Sequence, residues 1–191
     1  RQLSGKAQMN LVEKVDEEGK IHVDQGVIAG CSGGTYENIC AAASILKNGN
    51  TGNEQFRLSV YPDSMPVYRS LMENGAVTDL VDAGAVFREA FCGPCFGAGD
   101  TPANGELSIR HTTRNFPNRE GSKPNEGQIA GVCLMDARSI AATAANKGIL
   151  TAATDVVTDH QICPPMVFHH EIYDRRVYNG YGHPQPDFDL I

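Results

Sequence analysis

Tryptophan, runs of basic residues and long apolar stretches are all absent from this chain of 191 residues. The formal net charge is −7 and the Lys and Arg residues are scattered, so the sequence offers no basic surface for nucleic acid. No apolar run approaches the roughly 18 residues that a transmembrane helix needs, and residues 1–14 lack the apolar core of a signal peptide. We therefore expect a protein that binds neither nucleic acid nor membranes.

The sequence does contain enough apolar material for one folded domain. Hydrophobic residues make up 41% of the chain, so a packed core is expected rather than disorder. Six cysteines are present without a secretory signal, which favours reduced thiols or metal ligands over a framework of disulfides. A cytoplasmic location is the corresponding prediction.

Predicted strands alternate with predicted helices through most of the chain. Apolar runs and period-2 alternation predict strands at residues 26–30, 56–61, 85–88, 106–111 and 129–134. Apolar residues at helical spacing, bounded by capping and stop residues, predict helices at residues 35–47, 64–74, 76–83 and 136–148. This alternation is typical of an α/β fold with a mostly parallel sheet covered on both faces, a three-layer α/β/α arrangement.

The last part of the chain has a different character. Residues 151–191 contain Cys163-Pro164-Pro165 and several tyrosines but show little hydrophobic periodicity. We therefore predict an α/β domain at residues 1–150. Residues 151–191 are predicted to be an irregular C-terminal extension or linker packed on the same domain.

Three cysteines stand in glycine-rich surroundings. Cys31 follows the first predicted strand, and Cys92 and Cys95 form a C-G-P-C sequence after the third. Because the carboxyl ends of parallel strands meet at one edge of a sheet, the three thiols can converge there. Thiolates are soft ligands that select zinc, copper(I) or iron–sulfur clusters. Three of them leave one position of a four-ligand centre open to substrate.

Two other uses of these cysteines remain open. Cys31, Cys92, Cys95 and His111 form a chemically reasonable ligand set for zinc. Alternatively, Cys92 and Cys95 alone can form a dithiol redox module. A thioredoxin-like motif of that kind should open a helix, usually just after a tryptophan, whereas a loop rich in Gly and Pro follows here.

The remaining glycine-rich and cysteine positions have simpler interpretations. Residues 30–34 are a candidate phosphate cradle, but this turn lacks the Walker lysine and a complete G-x-G-x-x-G. Cys40, Cys133 and Cys163 are expected to be buried, unpaired thiols, because cysteine is often simply a small core residue.

A second group of candidate residues follows the fourth predicted strand. Arg114 and Arg119 lie five residues apart in a stretch interrupted by proline, so this stretch is predicted to be a loop. Guanidinium groups bind carboxylates with paired hydrogen bonds. Thr113 and Asn115 add neutral hydrogen-bonding groups. We predict that these four residues bind a small carboxylic acid beside the cysteines.

These motifs together resemble the aconitase superfamily of iron–sulfur dehydratases. The family patterns G-S-C-T-N-x-x-Y-E-D, C-G-P-C-x-G and N-R-N-F-x-G-R correspond to residues 29–38, 92–97 and 113–119. The resemblance covers about residues 25–150. The departures from the family include four positions where Thr, Asn, Asn and Gly of the patterns are replaced by Ser32, Gly33, Thr113 and Asn118. None of these departures removes a thiol. They do mean that the resemblance does not identify the substrate.

The resemblance implies a cofactor and a reaction. Cys31, Cys92 and Cys95 would ligate a [4Fe–4S] cluster, and Arg114 and Arg119 would hold the carboxylates of a hydroxy di- or tricarboxylic acid. The fourth iron of such a cluster would bind this substrate during reversible hydration and dehydration. The fold implied is the cluster-bearing α/β/α domain of a larger hydratase.

The resemblance also implies that the chain is incomplete as an enzyme. No segment matches the acid–base groups or the catalytic serine that the family draws from its other domains, so no catalytic residue is assigned here. We expect the partners to be a small carboxylic-acid substrate and other domains of the same enzyme. The chain is then a fragment, and we predict that it is inactive alone.

Overall fold

The computed structural model describes residues 11–53, 56–113, 127–156 and 163–175. Its strands in these ranges are β1 (Gln25–Ile28), β2 (Arg57–Val60), β3 (Val86–Phe87), β4 (Leu107–His111) and β5 (Gly131–Leu134). They form one sheet in the order β3-β2-β1-β4-β5, and every neighbouring pair is parallel. The predicted α/β class with a mostly parallel sheet is confirmed.

The helices connect and flank these strands. They are α1 (Gly30–Gly33), α2 (Tyr36–Leu46), α3 (Met65–Glu73), α4 (Ala76–Asp82), α5 (Ala137–Ala145) and α6 (His170–Asp174). Single 3-10 turns occur at Leu11–Lys14, Gly93–Cys95 and Ala153–Asp155. Four of the helices match the predictions to within a few residues, whereas α1 and α6 were not predicted. Isolated bridges pair Val15 with Ile21 and His22 with Ile149.

Side-chain caps fix where two helices begin. The Ser64 hydroxyl accepts a bond from the Val67 amide at 3.4 Å, and Pro66 occupies the first turn of α3. The Asp136 carboxylate accepts bonds of 3.0 Å from the amides of Arg138 and Ser139, which starts α5 at the edge of the sheet. Thr35 occupies the predicted N-cap position of α2 but makes no side-chain capping bond.

The two faces of the sheet differ in what covers them. Residues of one face, including Ile28, Leu58 and Ile109, are buried in a hydrophobic cluster with side chains from α2, α3, α4 and α5. The opposite face carries Gln25, Ser108 and Arg110, all buried. Carbonyl groups of the segment between β3 and β4 cover this polar face, because Arg110 binds Pro94 and Asp100 there. This segment contains the C-G-P-C sequence.

The chain at 163–175 packs along α2 and α3. Tyr36 donates a bond of 2.9 Å to the Pro164 carbonyl, and Ser70 donates one of 2.5 Å to the Val167 carbonyl. Cys40 and Cys163 form a disulfide with a Cα–Cα distance of 5.8 Å. The expectation of unpaired thiols at these two positions is therefore wrong, because residue 163 is brought back onto α2 across 123 positions of sequence. The proposed domain boundary at residue 150 stays a prediction.

Among the described residues, no helix combines the length and apolar character that a membrane crossing requires.

Candidate metal centre

The carboxyl ends of the central strands bring the predicted cysteines to one edge of the sheet. Cys31 lies in α1, directly after β1, and Thr113 follows the neighbouring strand β4. The Cys31 sulfur and the Thr113 hydroxyl oxygen are 3.2 Å apart. Two segments separated by 82 positions in sequence therefore meet at this edge.

Cys95 lies beside the same residues. A Cβ added to Gly30 would lie 3.0 Å from the Cys95 sulfur, so this thiol sits against the start of α1. Burial raises the pKa of Cys95, a backbone hydrogen bond from Thr113 acts in the opposite direction, and the neighbouring thiols Cys92 and Cys31 raise it further. Thr113 thus contacts two of the three predicted ligands, Cys31 through its hydroxyl and Cys95 through its backbone.

The accessibility of the three thiols differs in a way that suits a group bound between protein and solvent. Cys95 is only 6% exposed, whereas Cys31 and Cys92 are exposed. The thiols are unpaired and come from two separate segments of the chain. A donor set of three convergent, partly open thiols is chemically suited to an iron–sulfur cluster with one iron left for substrate.

Two glycines of this region lie directly against neighbouring backbone. A Cβ on Gly33 would lie 2.0 Å from the His111 carbonyl oxygen, and one on Gly34 would lie 2.3 Å from the Tyr61 carbonyl oxygen. These two glycines allow α1 to pack directly on the ends of β4 and β2, which places Cys31 over the edge of the sheet.

Sequence reasoning missed the buried arginine beneath this site. Arg110 is 0% exposed and donates to the carbonyl of Pro94, which lies between Cys92 and Cys95. The alternating pattern of β4 places Arg110 opposite the hydrophobic face, which by itself suggests solvent exposure. No sequence signal indicates that a loop from elsewhere covers it.

A tyrosine–aspartate contact supports the same loop. Tyr61, at the end of β2, donates a bond of 2.5 Å to the Asp100 carboxylate. Burial and this hydrogen bond raise the pKa of Tyr61 to about 12, so the phenol stays protonated at neutral pH. Arg88 lies 3.5 Å from the other oxygen of the same carboxylate.

The predicted substrate-binding residues divide between described and undescribed positions. Thr113 lies at the site, with its hydroxyl against the Cys31 sulfur. Arg114, Asn115 and Arg119 lie outside the described residues. Their predicted role stays a prediction.

The geometry disfavours the zinc alternative. The Nδ1 of His111 accepts a bond of 3.1 Å from the Ala137 amide. The neutral ring then carries its proton on Nε2, so in this arrangement neither nitrogen has a free lone pair for a metal. Across the part of the chain that the structure describes, no group of three or more His, Cys, Asp or Glu residues is arranged around a single metal ion. An iron–sulfur cluster requires a different ligand geometry. Each thiolate binds its own iron, so the three sulfurs need not surround a single point.

The dithiol and phosphate alternatives are also disfavoured. The C-G-P-C sequence forms a 3-10 turn, Gly93–Cys95, and no α-helix follows whose N-terminus would lower a thiol pKa. In the turn 30–34, the amides of Gly33 and Gly34 donate to the carbonyls of Ala29 and Gly30, so they are not directed at a phosphate.

Groups that resemble acid–base residues by type have structural partners. Asp136 caps α5. His169 forms ion-pair contacts of 2.7 Å with Glu73 and 3.2 Å with Glu171. The contacts of Asp136 and His169 are therefore structural, and neither residue is assigned a catalytic role.

Comparison with known proteins decides the family. Residues 2–142 match the aconitase family (aconitate hydratase). This chain belongs to the aconitase family. The matched region includes every strand described above and the three cysteines.

Several relatives are large subunits of 3-isopropylmalate dehydratase. The chain is 35% identical over 144 residues to the 3-isopropylmalate dehydratase large subunit of Moorella thermoacetica, covering 75% of this chain and 32% of that protein. It is 37% identical over 125 residues to that of Desulfitobacterium hafniense, covering 64% and 30%. It is 40% identical over 121 residues to large subunit 1 of Archaeoglobus fulgidus, covering 63% and 28%. The chain therefore spans about a third of the length of the curated relatives it matches.

Proposed function

We propose that this chain supplies the cluster-binding part of an aconitase-family hydro-lyase, a hydratase/dehydratase or isomerase of a hydroxy di- or tricarboxylic acid. The observation that carries the proposal is the meeting of Cys31 and Cys95 at Thr113, with Cys92 beside Cys95. Family membership and the dehydratase names of the relatives support the reaction class.

In this proposal, Cys31, Cys92 and Cys95 hold a [4Fe–4S] cluster at the carboxyl edge of the sheet. When bound, such a cluster supplies a Lewis-acidic iron that is not ligated by cysteine. The protein's own contribution is positional. The α1 segment fixes Cys31, the 3-10 turn fixes Cys92 and Cys95, and the Thr113 hydroxyl oxygen lies 3.2 Å from the Cys31 sulfur.

Substrate binding is assigned to the segment that follows β4. Thr113 leaves the sheet beside the cysteines, so Arg114, Asn115 and Arg119 follow within a few residues of the site. Arginine forks would bind the substrate carboxylates, and charge-assisted bonds of this kind give both affinity and orientation. The acid–base groups come from other domains of the same enzyme, so the chain alone is inactive.

Anaerobic reconstitution with ferrous iron and sulfide tests the proposal. The wild-type chain should turn brown and bind about four iron and four sulfide ions per chain. Cys31→Ala, Cys92→Ala and Cys95→Ala should each abolish most of this uptake. Cys133→Ala is the matched control, because Cys133 is another free thiol but lies in β5, away from the site.

Two results would contradict the proposal. One is a colourless chain that binds a single zinc ion and no sulfide. The other is equal iron and sulfide uptake in Cys31→Ala and Cys133→Ala. Inactivity of the isolated chain is checked separately, by following the ultraviolet absorbance of the unsaturated acid in a hydration assay with the reconstituted protein.

A further inference from the structure

A buried cation lies directly beneath the loop that carries two of the cysteines. We propose that Arg110 is a positioning residue for the cysteine site, whose guanidinium holds this loop by backbone carbonyl oxygens and so fixes Cys95 beside Cys31. The inference rests on the proposed function for the identity of the bound group, but the positioning itself is a property of the chain without any ligand.

The contacts of Arg110 bracket Cys95 on both sides. Its Nη1 donates a hydrogen bond of 3.1 Å to the carbonyl oxygen of Pro94, the residue before Cys95. Its Nη2 donates to the carbonyl of Asp100, five residues after Cys95. Both ends of the short loop 94–100 therefore bind the same planar guanidinium group through their backbone carbonyls.

The guanidinium is itself held in place from the sheet. Nε donates a hydrogen bond of 3.0 Å to the Ser108 hydroxyl, and Nη2 also donates one of 3.2 Å to the Gln25 side-chain oxygen. The Ser108 hydroxyl in turn donates a hydrogen bond of 2.8 Å to the same Gln25 oxygen. These contacts connect β1 and β4 directly to the cysteine loop.

An arginine suits this position for a physical reason. A fully buried charge is costly unless its donors are bonded, and the rigid guanidinium fork presents several donors in a fixed plane. Lysine would retain the charge but presents one compact ammonium group, which cannot span the same acceptors in one geometry. The bonds within the loop are local, since Phe96 and Ala98 both donate to the carbonyl of Gly93 at 3.0 Å, whereas Arg110 joins the loop to the sheet.

Per-cysteine alkylation of the reduced chain without added iron provides the test. Iodoacetamide modification is timed and each cysteine is quantified by peptide mass spectrometry. In wild type, Cys95 should react slowly because it is buried. In Arg110→Met, Cys95 should react about tenfold faster or more, since the loop opens more often. Arg110→Lys should give a smaller increase, and Cys133 should react at the wild-type rate in both variants.

Thr143→Val is the control for a general loss of stability. Thr143 is buried on α5, and its hydroxyl accepts a bond of 3.1 Å from the Thr151 amide, at a distance from the cysteines in the fold. If Cys95 reacts no faster in Arg110→Met than in Thr143→Val at matched stability, the proposal is overturned. If Arg110→Met does not fold, the comparison of Arg110→Lys with Thr143→Val decides the question on the same criterion.

Reconstitution separates this inference from the proposed function. In folded Arg110 variants, iron should be lost faster to a chelator than in wild type, and the visible spectrum of the bound group should broaden. If the wild-type chain takes up no cluster while Cys95 still becomes reactive in Arg110→Met, the proposed function fails and the positioning role stands. The converse result overturns the positioning role alone.

Discussion

Adding one methyl group at Gly33 should disturb the cysteine site more than its size suggests. An alanine Cβ at this position would lie 2.0 Å from the His111 carbonyl oxygen and 2.9 Å from the His111 carbonyl carbon. An ordinary carbon–oxygen contact is about 3.3 Å, so α1 and β4 would have to separate by roughly 1.3 Å. The His111 oxygen cannot simply turn away, because it accepts a bond of 3.0 Å from the Ala29 amide.

The displacement falls on Cys31, which lies two residues before Gly33 in α1. A shift of that size is enough to break the 3.2 Å contact between the Cys31 sulfur and the Thr113 hydroxyl. Overpacking of this kind costs about 1–3 kcal/mol of unfolding free energy. We expect Gly33→Ala to lower the urea midpoint accordingly, and the reconstituted variant to bind clearly less iron than wild type.

Gly49→Ala is the matched control, because it adds the same atom where the nearest contact is 3.2 Å, at the end of α2. It should leave iron uptake unchanged and alter stability by less than about 0.5 kcal/mol. The reasoning is refuted if Gly33→Ala and Gly49→Ala bind iron equally and have the same urea midpoint.

Two further predictions concern the surroundings of the site. Burial lowers the pKa of His111 below its ordinary value of about 6.5, so as pH falls below that value the unfolded chain takes up a proton that the native state resists. The unfolding free energy should therefore decrease as the pH falls below about 6.5. Urea titrations at several pH values should show a smaller dependence of unfolding free energy on pH in His111→Asn than in wild type. The same dependence in both proteins would refute the assignment to His111. Reduction of the Cys40–Cys163 disulfide, or Cys163→Ser, should lower the unfolding free energy by about 2–4 kcal/mol. Dithiothreitol should then lower the urea midpoint of the wild-type chain and leave that of Cys163→Ser unchanged. A wild-type urea midpoint that does not respond to dithiothreitol would contradict a stabilising role of the disulfide.

Local signals in the sequence were sufficient where a single residue decides the structure. Ser64 and Asp136 were recognised as helix starts because a short polar side chain before an apolar period satisfies the free amides of the first turn. The meeting of the cysteine segments also followed from a local argument. Parallel strands end at one edge, so residues that follow them collect there whatever lies between.

Contacts that depend on loops crossing the sheet were not predictable in this way. In the sequence, Arg110 has the pattern of an ordinary polar residue in an alternating strand. Its burial depends on the carbonyls of Asp100 and Pro94, which lie 10 and 16 residues earlier in the chain. The pairing of Cys40 with Cys163 depends on an irregular segment returning to α2. Neither has a periodic or compositional signal, since both are set by how distant segments pack.

The buried Arg110 also bears on how the sheet assembles. If β4 slid by a single residue along β1, its side chains would change faces, and the Arg110 guanidinium would turn into the hydrophobic cluster that contains Ile28 and Leu58, where these acceptors are out of reach. The misaligned sheet would then hold an uncompensated charge, which is far more costly than a misplaced apolar side chain. The arginine that binds carbonyls of the cysteine loop thus also penalises a wrong strand alignment during folding.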